Sequence, residues 1–203
     1  TAINKIKIKG NKRVGVETIK IYGDIVINKN YSEQDLNKIL NNLYSTNFFE
    51  DVNINLTNGV LTVKLKEYPV INQLIILGEP STKYKEQIQK IISLKEKDSF
   101  IKNNLLNDIE IIKSLYNSSG YNFVDIKSKI KKIDENNLDL VFDINKGEVT
   151  KITKISFTGD KKIRERRLRD VIASEEDKFW KFISKNTRFN ERLVNLDIRL
   201  LKN

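Results

Sequence analysis

The residues that could do chemistry in this chain are few, and most of them are charged. Glu50 and Asp51 are adjacent acids, a pairing from which acid–base catalysis can be built. On the way into an extended segment, neighbouring side chains point to opposite sides, so the two carboxylates would not share a substrate. No histidine occurs in the 203 residues to serve as their partner. Cysteine is absent as well, which removes disulfides, thiolate catalysis and cysteine-based zinc sites. Neither GxGxxG nor GxxxxGK[ST] occurs to cradle phosphate, and there is no EF-hand loop and no HExxH. The sequence therefore reads as non-enzymatic, with no catalytic residue, no metal site and no cofactor.

Binding chemistry has more candidates. Arg164-Glu165-Arg166-Arg167-Leu168-Arg169 could hold phosphate or an acidic partner, although a solvated helix face is the simpler account. Tyr44, Phe48, Phe49, Tyr116 and Tyr121 could form an aromatic strip, but at helix ends they fit better as core and docking residues. Arg13 follows an apolar run and reads as a turn-stabilising residue. The formal net charge is +10, which invites a nucleic-acid or anionic-membrane reading. Much of it is Lys interleaved with Ile, as in Lys5-Ile6-Lys7-Ile8-Lys9, where Lys fills the solvent side of a strand. A compositional habit of the source also accounts for that pattern.

These residues sit on a repeating framework. Leu43-Tyr44 through Phe48-Phe49-Glu50-Asp51-Val52 returns 72 positions later as Leu115-Tyr116 through Gly120-Tyr121-Asn122-Phe123-Val124. Each reads as a helix end, a turn and an aromatic docking where a strand begins. Ile3-x-x-Ile6-x-Ile8-x-Gly10 likewise recurs as Ile71-x-x-Leu74-x-Ile76-x-Gly78 and as Ile152-x-x-Ile155-x-Phe157-x-Gly159. Each alternates as a half-buried strand does and stops at Gly.

In the first unit, Ile3–Lys9 predicts a strand and Val16–Tyr22 a helix ended by Gly23. Ser32 and Asp35 predict a capping box, and Leu36, Ile39, Leu40 and Leu43 the buried stripe of the helix that follows. Asn58-Gly59 between Val52-x-Ile54-x-Leu56 and Leu61-x-Val63-x-Leu65 predicts a hairpin. The second unit repeats the order. Its first strand is Ile71–Leu77, and Ile88, Ile91 and Ile92 share one helix face. Asp98-Ser99 would cap a helix carrying Ile101, Leu105, Ile109, Ile112, Leu115 and Tyr116. A third unit supplies the strand Ile152–Phe157, a basic helix around 163–173 and a helix near 190–201, but no hairpin. Pro69 predicts a stiff first joint and Gly147 a softer second one. The fold class is α+β: tandem small domains, each β-α-α-β-β, with a three-stranded mixed sheet covered on one face by two helices, in an elongated string. Their bounds are 1–68, 69–147 and 148–203, the last truncated before its hairpin. No run approaches the roughly 18 apolar residues of a transmembrane helix. The chain opens without a signal-like apolar core and contains no Met, as a processed or excised piece would.

With these residues in view, the whole chain resembles the polypeptide-transport-associated (POTRA) repeats of BamA-type outer-membrane assembly factors. Gly10-Asn11-x-Arg13-Val14 is similar to the family's opening turn, and Glu67-x-Pro69-x-Ile71 to its first joint between repeats. Trp180 and Asp197-x-x-x-Leu201 fall where the third repeat has similar residues. Lys146-Gly147 departs from the family's usual Glu-Gly.

The resemblance implies a periplasmic receptor arm rather than an enzyme. Its partners would be unfolded outer-membrane proteins, periplasmic chaperones and accessory lipoproteins. An anionic membrane surface is a further partner suggested by the charge, and nucleic acid is not expected. The implied mode is addition of an extended segment to an edge strand. The resemblance places the edges at Val52, Asn53, Ile54, Asn55 and Leu56, and at Val124, Asp125, Ile126, Lys127, Ser128, Lys129 and Ile130. Alternate residues of such an edge turn their N–H groups to opposite sides, so Asn53 and Ile54 differ, with the sequence leaving open which of them faces out.

Two other settings compete. One is the same fold in a two-partner secretion transporter, an autotransporter assembly factor or a cell-division protein. The other is a basic RNA-binding α/β module. That module needs aromatics on the open sheet face, where this chain has Lys and Asn.

Overall fold

The computed structural model describes residues 3–159, 162–178 and 185–202. The first strand, β1, is Lys5–Lys9. It turns at Gly10, whose φ of +88° is closed to most side chains, and an added Cβ there would lie 2.0 Å from the Leu65 carbonyl oxygen. Helices α1 (Val16–Gly23) and α2 (Glu33–Ser45) follow, then the hairpin β2 (Phe49–Thr57) and β3 (Val60–Glu67). The sheet order is β1-β3-β2, with β3 central, parallel to β1 and antiparallel to β2.

Local sequence explains most of these bounds. The Ser32 hydroxyl accepts the Asp35 N–H at 3.3 Å while the Asp35 carboxylate accepts the Ser32 N–H at 3.0 Å, completing the capping box. Asn58 and Gly59 both have positive φ, the geometry of a two-residue type I′ turn. Gly23 does not supply the left-handed terminator of α1. That role falls to Asp24 (φ +51°), and Gly23 is buried where an added Cβ would press on Ile25 at 2.9 Å.

The second round runs β4 (Val70–Leu77), α3 (Thr82–Ile91), α4 (Lys102–Ser118), β5 (Asp125–Lys132) and β6 (Asn137–Asn145), with sheet order β4-β6-β5. Asp98 and Ser99 do not cap α4. The Asp98 carbonyl accepts the Ile71 N–H, and Phe100 N–H donates to the Pro69 carbonyl, so this stretch runs beside the start of β4 and delays the helix to Lys102. Ile91, expected inside, is 42% exposed. Gly78 repeats the device of Gly10, with a Cβ at 2.0 Å from the Ile144 carbonyl oxygen.

After residue 145 come α5 (Glu165–Val171), a single 3-10 turn (Lys185–Thr187) and α6 (Glu191–Lys202). Ile152–Phe157 is not a strand. Among the described residues it has no strand to pair with, and its backbone groups find other partners. Ile152 N–H donates to the Thr187 carbonyl, and Ile155 N–H to the Glu176 carboxylate at 2.9 Å. Trp180 lies outside the described residues.

The chain divides into two compact units. One holds Thr1–Leu74, Leu94–Lys102 and Ile130–Leu140, the other Ile75–Ser93, Asn103–Lys129 and Val141–Asn203. The core of the first gathers Ile3, Ile19, Ile39, Leu43, Phe49, Leu61 and Val63 between the sheet and the two helices. In the second, Ile88, Ile112, Tyr116 and Phe142 are fully buried.

Candidate functional site

The edge strand β2 presents an unfilled hydrogen-bonding edge beside an apolar border. In a two-residue hairpin the closing pair, here Thr57 and Val60, exchanges both of its backbone hydrogen bonds. Counting back along the register, Asn55 and Asn53 also direct their backbone groups to β3. Leu56, Ile54 and Val52 direct theirs to the open side. One independent contact agrees with this parity: Val52 N–H donates outward to the Tyr44 hydroxyl at 3.1 Å. The same hydroxyl lies 3.4 Å from the Asp51 carboxylate. Tyr44 thus occupies one end of the edge, and Ile54 and Leu56 remain as its open donors.

Side chains on the border are apolar and incompletely covered. Ile54 and Leu56 on β2, and Leu36 and Leu40 on α2, are half-buried against the core. Helix α2 packs on β2, so an added strand would find backbone groups on one side and aliphatic surface beside them. No residue from Val52 to Thr57 is charged.

The second candidate edge is different. Strand β5 begins at Asp125, leaving Val124 just outside it, and Asp125, Lys127, Lys129 and Ile130 are exposed while Ile126 is buried and Ser128 half-buried. Lys129 pairs with Asp143 at 2.8 Å and Lys127 with Asp125 at 3.7 Å. Charges of this kind oppose addition of another strand.

The turns beside the edges are held by carboxylates in an exchanged arrangement. In the first round, Glu67 at the end of β3 accepts the N–H groups of Lys12, Arg13 and Val14 at 2.8 to 3.2 Å. The Arg13 guanidinium sits over the Phe48 ring at 5.2 Å, in keeping with a turn-stabilising role. At the equivalent end of β6 stands Lys146, and the acid has moved into the turn as Glu79. The Glu79 carboxylate, 2% exposed, accepts from the Tyr116 hydroxyl at 2.6 Å and from Ser81 N–H at 2.8 Å, with the Lys146 ammonium at 3.7 Å. Burial works to raise the Glu79 carboxyl, but the Tyr116 and Ser81 hydrogen bonds and Lys146 outweigh it and hold it below its ordinary value. Burial first, then Glu79, pushes the Tyr116 phenol far up.

Other candidates resolve into structural roles. Phe49 and Tyr116 are core. Arg169 is bound to Glu165 and Glu176 at 2.9 and 2.8 Å and to the Ile155 carbonyl, which draws it away from a phosphate role. Of two buried acids, the sequence flags Asp197 by its spacing to Leu201 and does not flag Asp108. Asp108 accepts the N–H and hydroxyl of Ser93, and Asp197 accepts the N–H groups of Ala173 and Ser174. Each lies four residues before an apolar position, and that shared spacing was the available signal. A cavity of about 350 Å³ lies at the ends of α4 and α6, lined by Ser114, Asn117, Ser118, Asn122, Phe189 and Arg192 among others. Among the described residues no three acids cluster as a metal site would require. None of the described helices is long and apolar enough to cross a membrane.

Comparison with known proteins supplies the relatives. The family model described as POTRA, surface antigen variable number repeat, matches residues 1–68 and 69–147. The outer membrane protein assembly factor BamA of Neorickettsia risticii is 28% identical over 197 residues, covering 97% of this chain and 27% of the relative. The BamA of Neisseria meningitidis is 26% identical over 199 residues, covering 97% and 25%. The chain therefore spans about a quarter of the length of these curated relatives. Among solved structures, the N-terminal domain of Omp85 from Thermosynechococcus elongatus is 16% identical with a TM-score of 0.48, covering 100% of this chain and 85% of that one. Haemophilus influenzae BamA POTRA3-5 is 17% identical with a TM-score of 0.46, covering 99% and 84%.

Proposed function

The chain belongs to the POTRA family, and from that premise we propose that it is part of the periplasmic arm of a BamA-type outer-membrane protein assembly factor. It acts as a scaffold and receptor, not as an enzyme. Its repeats are 1–68, 69–147 and a partial one at 148–203. Unfolded outer-membrane proteins, delivered by periplasmic chaperones, add as a strand to an open sheet edge, and accessory lipoproteins dock on other surfaces. The observation that supports strand addition is the open side of β2, where Ile54 and Leu56 turn their backbone groups outward beside Leu36 and Leu40. The β5 edge, Asp125 to Ile130 with Val124 at its mouth, is the weaker acceptor because of its lysines.

Amide hydrogen exchange resolved by residue tests this reading. An extended peptide taken from an outer-membrane β-strand should slow exchange at Ile54 and Leu56 and leave Asn53 and Asn55, already bonded to β3, unchanged. Peptide binding with no protection at Ile54 and Leu56 would place the receptor elsewhere.

A further inference from the structure

The wet face of the first sheet carries lysines among neutral residues (Asn53, Asn55, Thr57, Val60 and Thr62), with acids at one end, at Glu50 and Asp51. Alternation along β1 puts Lys5, Lys7 and Lys9 on that face, all exposed, and β3 adds Lys64 and Lys66. Lys66 is paired with Glu50 at 2.7 Å at one end. The other four lysines have no acidic partner among the described residues. Lys9 and Lys64 are direct register partners across the β1–β3 pair. Like charges placed opposite one another on neighbouring strands destabilise a sheet, so the arrangement costs stability unless an anion relieves it.

A lysine-rich composition alone does not account for the pattern, because the lysines of the second sheet are partly neutralised. There Lys129 is bound to Asp143 and Lys127 to Asp125. The first sheet gathers four lysines, unpaired among the described residues, on one face, two of them in direct register, whereas β5 of the second sheet leaves Lys131 and Lys132 at one end.

We infer that this face is a docking surface for an anionic phospholipid bilayer. Alternate residues stand about 6.6 Å apart along a strand and neighbouring strands about 4.8 Å apart, so the ammonium groups form a two-dimensional array. A plane of headgroup phosphates matches such an array, whereas a single acidic chain would match one row of it. Lysine offers a mobile point charge without the planar fork by which Arg fixes one phosphate, which suits a fluid, many-headed surface. No aromatic residue stands on these positions of β1, β2 or β3 to stack a nucleobase. The inference does not rest on strand addition, since the β2 edge and this face are separate surfaces.

The test is co-sedimentation with vesicles of phosphatidylglycerol and phosphatidylethanolamine, against phosphatidylcholine vesicles, at low salt. Two variants remove the same charge: Lys5→Gln/Lys7→Gln/Lys9→Gln and Lys127→Gln/Lys129→Gln/Lys131→Gln. Each lysine near an anionic surface contributes about fivefold (~1 kcal/mol), so the first triple should weaken anionic-vesicle binding roughly a hundredfold. The second should lose far less, and phosphatidylcholine should bind neither. Equal losses in the two variants would mean that net charge alone acts, and the docking face would be wrong. Binding of polyglutamate through Lys5, Lys7 and Lys9 as tight as vesicle binding would also overturn it, in favour of an acidic chain. Both triples should still bind the outer-membrane peptide, so failure of that binding bears on strand addition and not on this surface.

Discussion

Proline scanning of β2 separates the two sides of the edge. Asn53 faces β3 opposite Lys64, so Asn53→Pro removes a ladder donor and leaves an acceptor on the central strand unpaired. That costs about 1–3 kcal/mol, with the ring's collision against the neighbouring strand in addition. A domain of this size has only about 3–5 kcal/mol in hand, so the repeat should unfold or sit at the edge of unfolding. Ile54→Pro removes an N–H that points outward and trims a half-buried side chain, at about 1–2 kcal/mol. It should stay folded with a lowered melting temperature. Binding of an extended outer-membrane peptide should then fall by about two- to tenfold, the worth of one backbone hydrogen bond. Circular dichroism with peptide titration reads both outcomes. If Ile54→Pro remains folded and binds at full strength, β2 is not the receptor edge. If instead Asn53→Pro folds and Ile54→Pro does not, the assignment of parity from the Thr57–Val60 closing pair is mistaken.

Three further substitutions probe the same surfaces. Tyr44→Phe frees the Val52 N–H at a cost of about 0.5–1.5 kcal/mol and lengthens the open edge by one donor, so peptide affinity should rise by a few-fold; a fall would show that Tyr44 contacts the client instead. Gly78→Ala should destabilise by about 1–3 kcal/mol or more, since its φ is +78° and the new Cβ meets the Ile144 carbonyl oxygen at 2.0 Å, and an unchanged thermal midpoint would contradict that contact. Glu79 is held below its ordinary carboxyl value of 4.5, so its contribution is complete above that pH and is lost as pH falls through the lower folded value. Glu79→Gln should therefore lower stability at pH 7 and flatten the loss of stability between neutral and acid pH; an undiminished slope would move the acid sensitivity to other carboxylates.

What the sequence disclosed was whatever is decided within a few residues. Ser32 and Asp35 cap a helix because a side chain three positions away reaches the N–H groups that the helix leaves unpaired. Asn58 and Gly59 close a hairpin because they tolerate positive φ. The errors arose where a distant strand decided the outcome. Asp98 and Ser99 look like caps in isolation, yet the Pro69 carbonyl and the Ile71 backbone groups pair with that stretch. Ile152–Phe157 has the alternation of a strand, but alternation supplies a face and not a partner. Without a neighbouring strand among the described residues its N–H groups turned to Thr187 and Glu176.

The site was legible to a different depth. Alternation placed Asn53 and Ile54 on opposite sides of the strand, but the side that remains open depends on where the hairpin closes. Tyr44 read as a docking aromatic because its carbon skeleton belongs at a helix end; that its hydroxyl would take the Val52 N–H is a matter of one oxygen's position. The departure at Lys146 is the more instructive case. Read as a motif, Lys in place of Glu removes the acid that should hold the turn. In the fold the acid is present, moved across the strand–turn contact to Glu79, with Lys146 as its counter-charge and Tyr116 as its donor. A turn's N–H groups need an acceptor within reach, and a carboxylate from either side of the contact can serve. The physical constraint is therefore kept in both repeats while the residue that a motif would track changes sign.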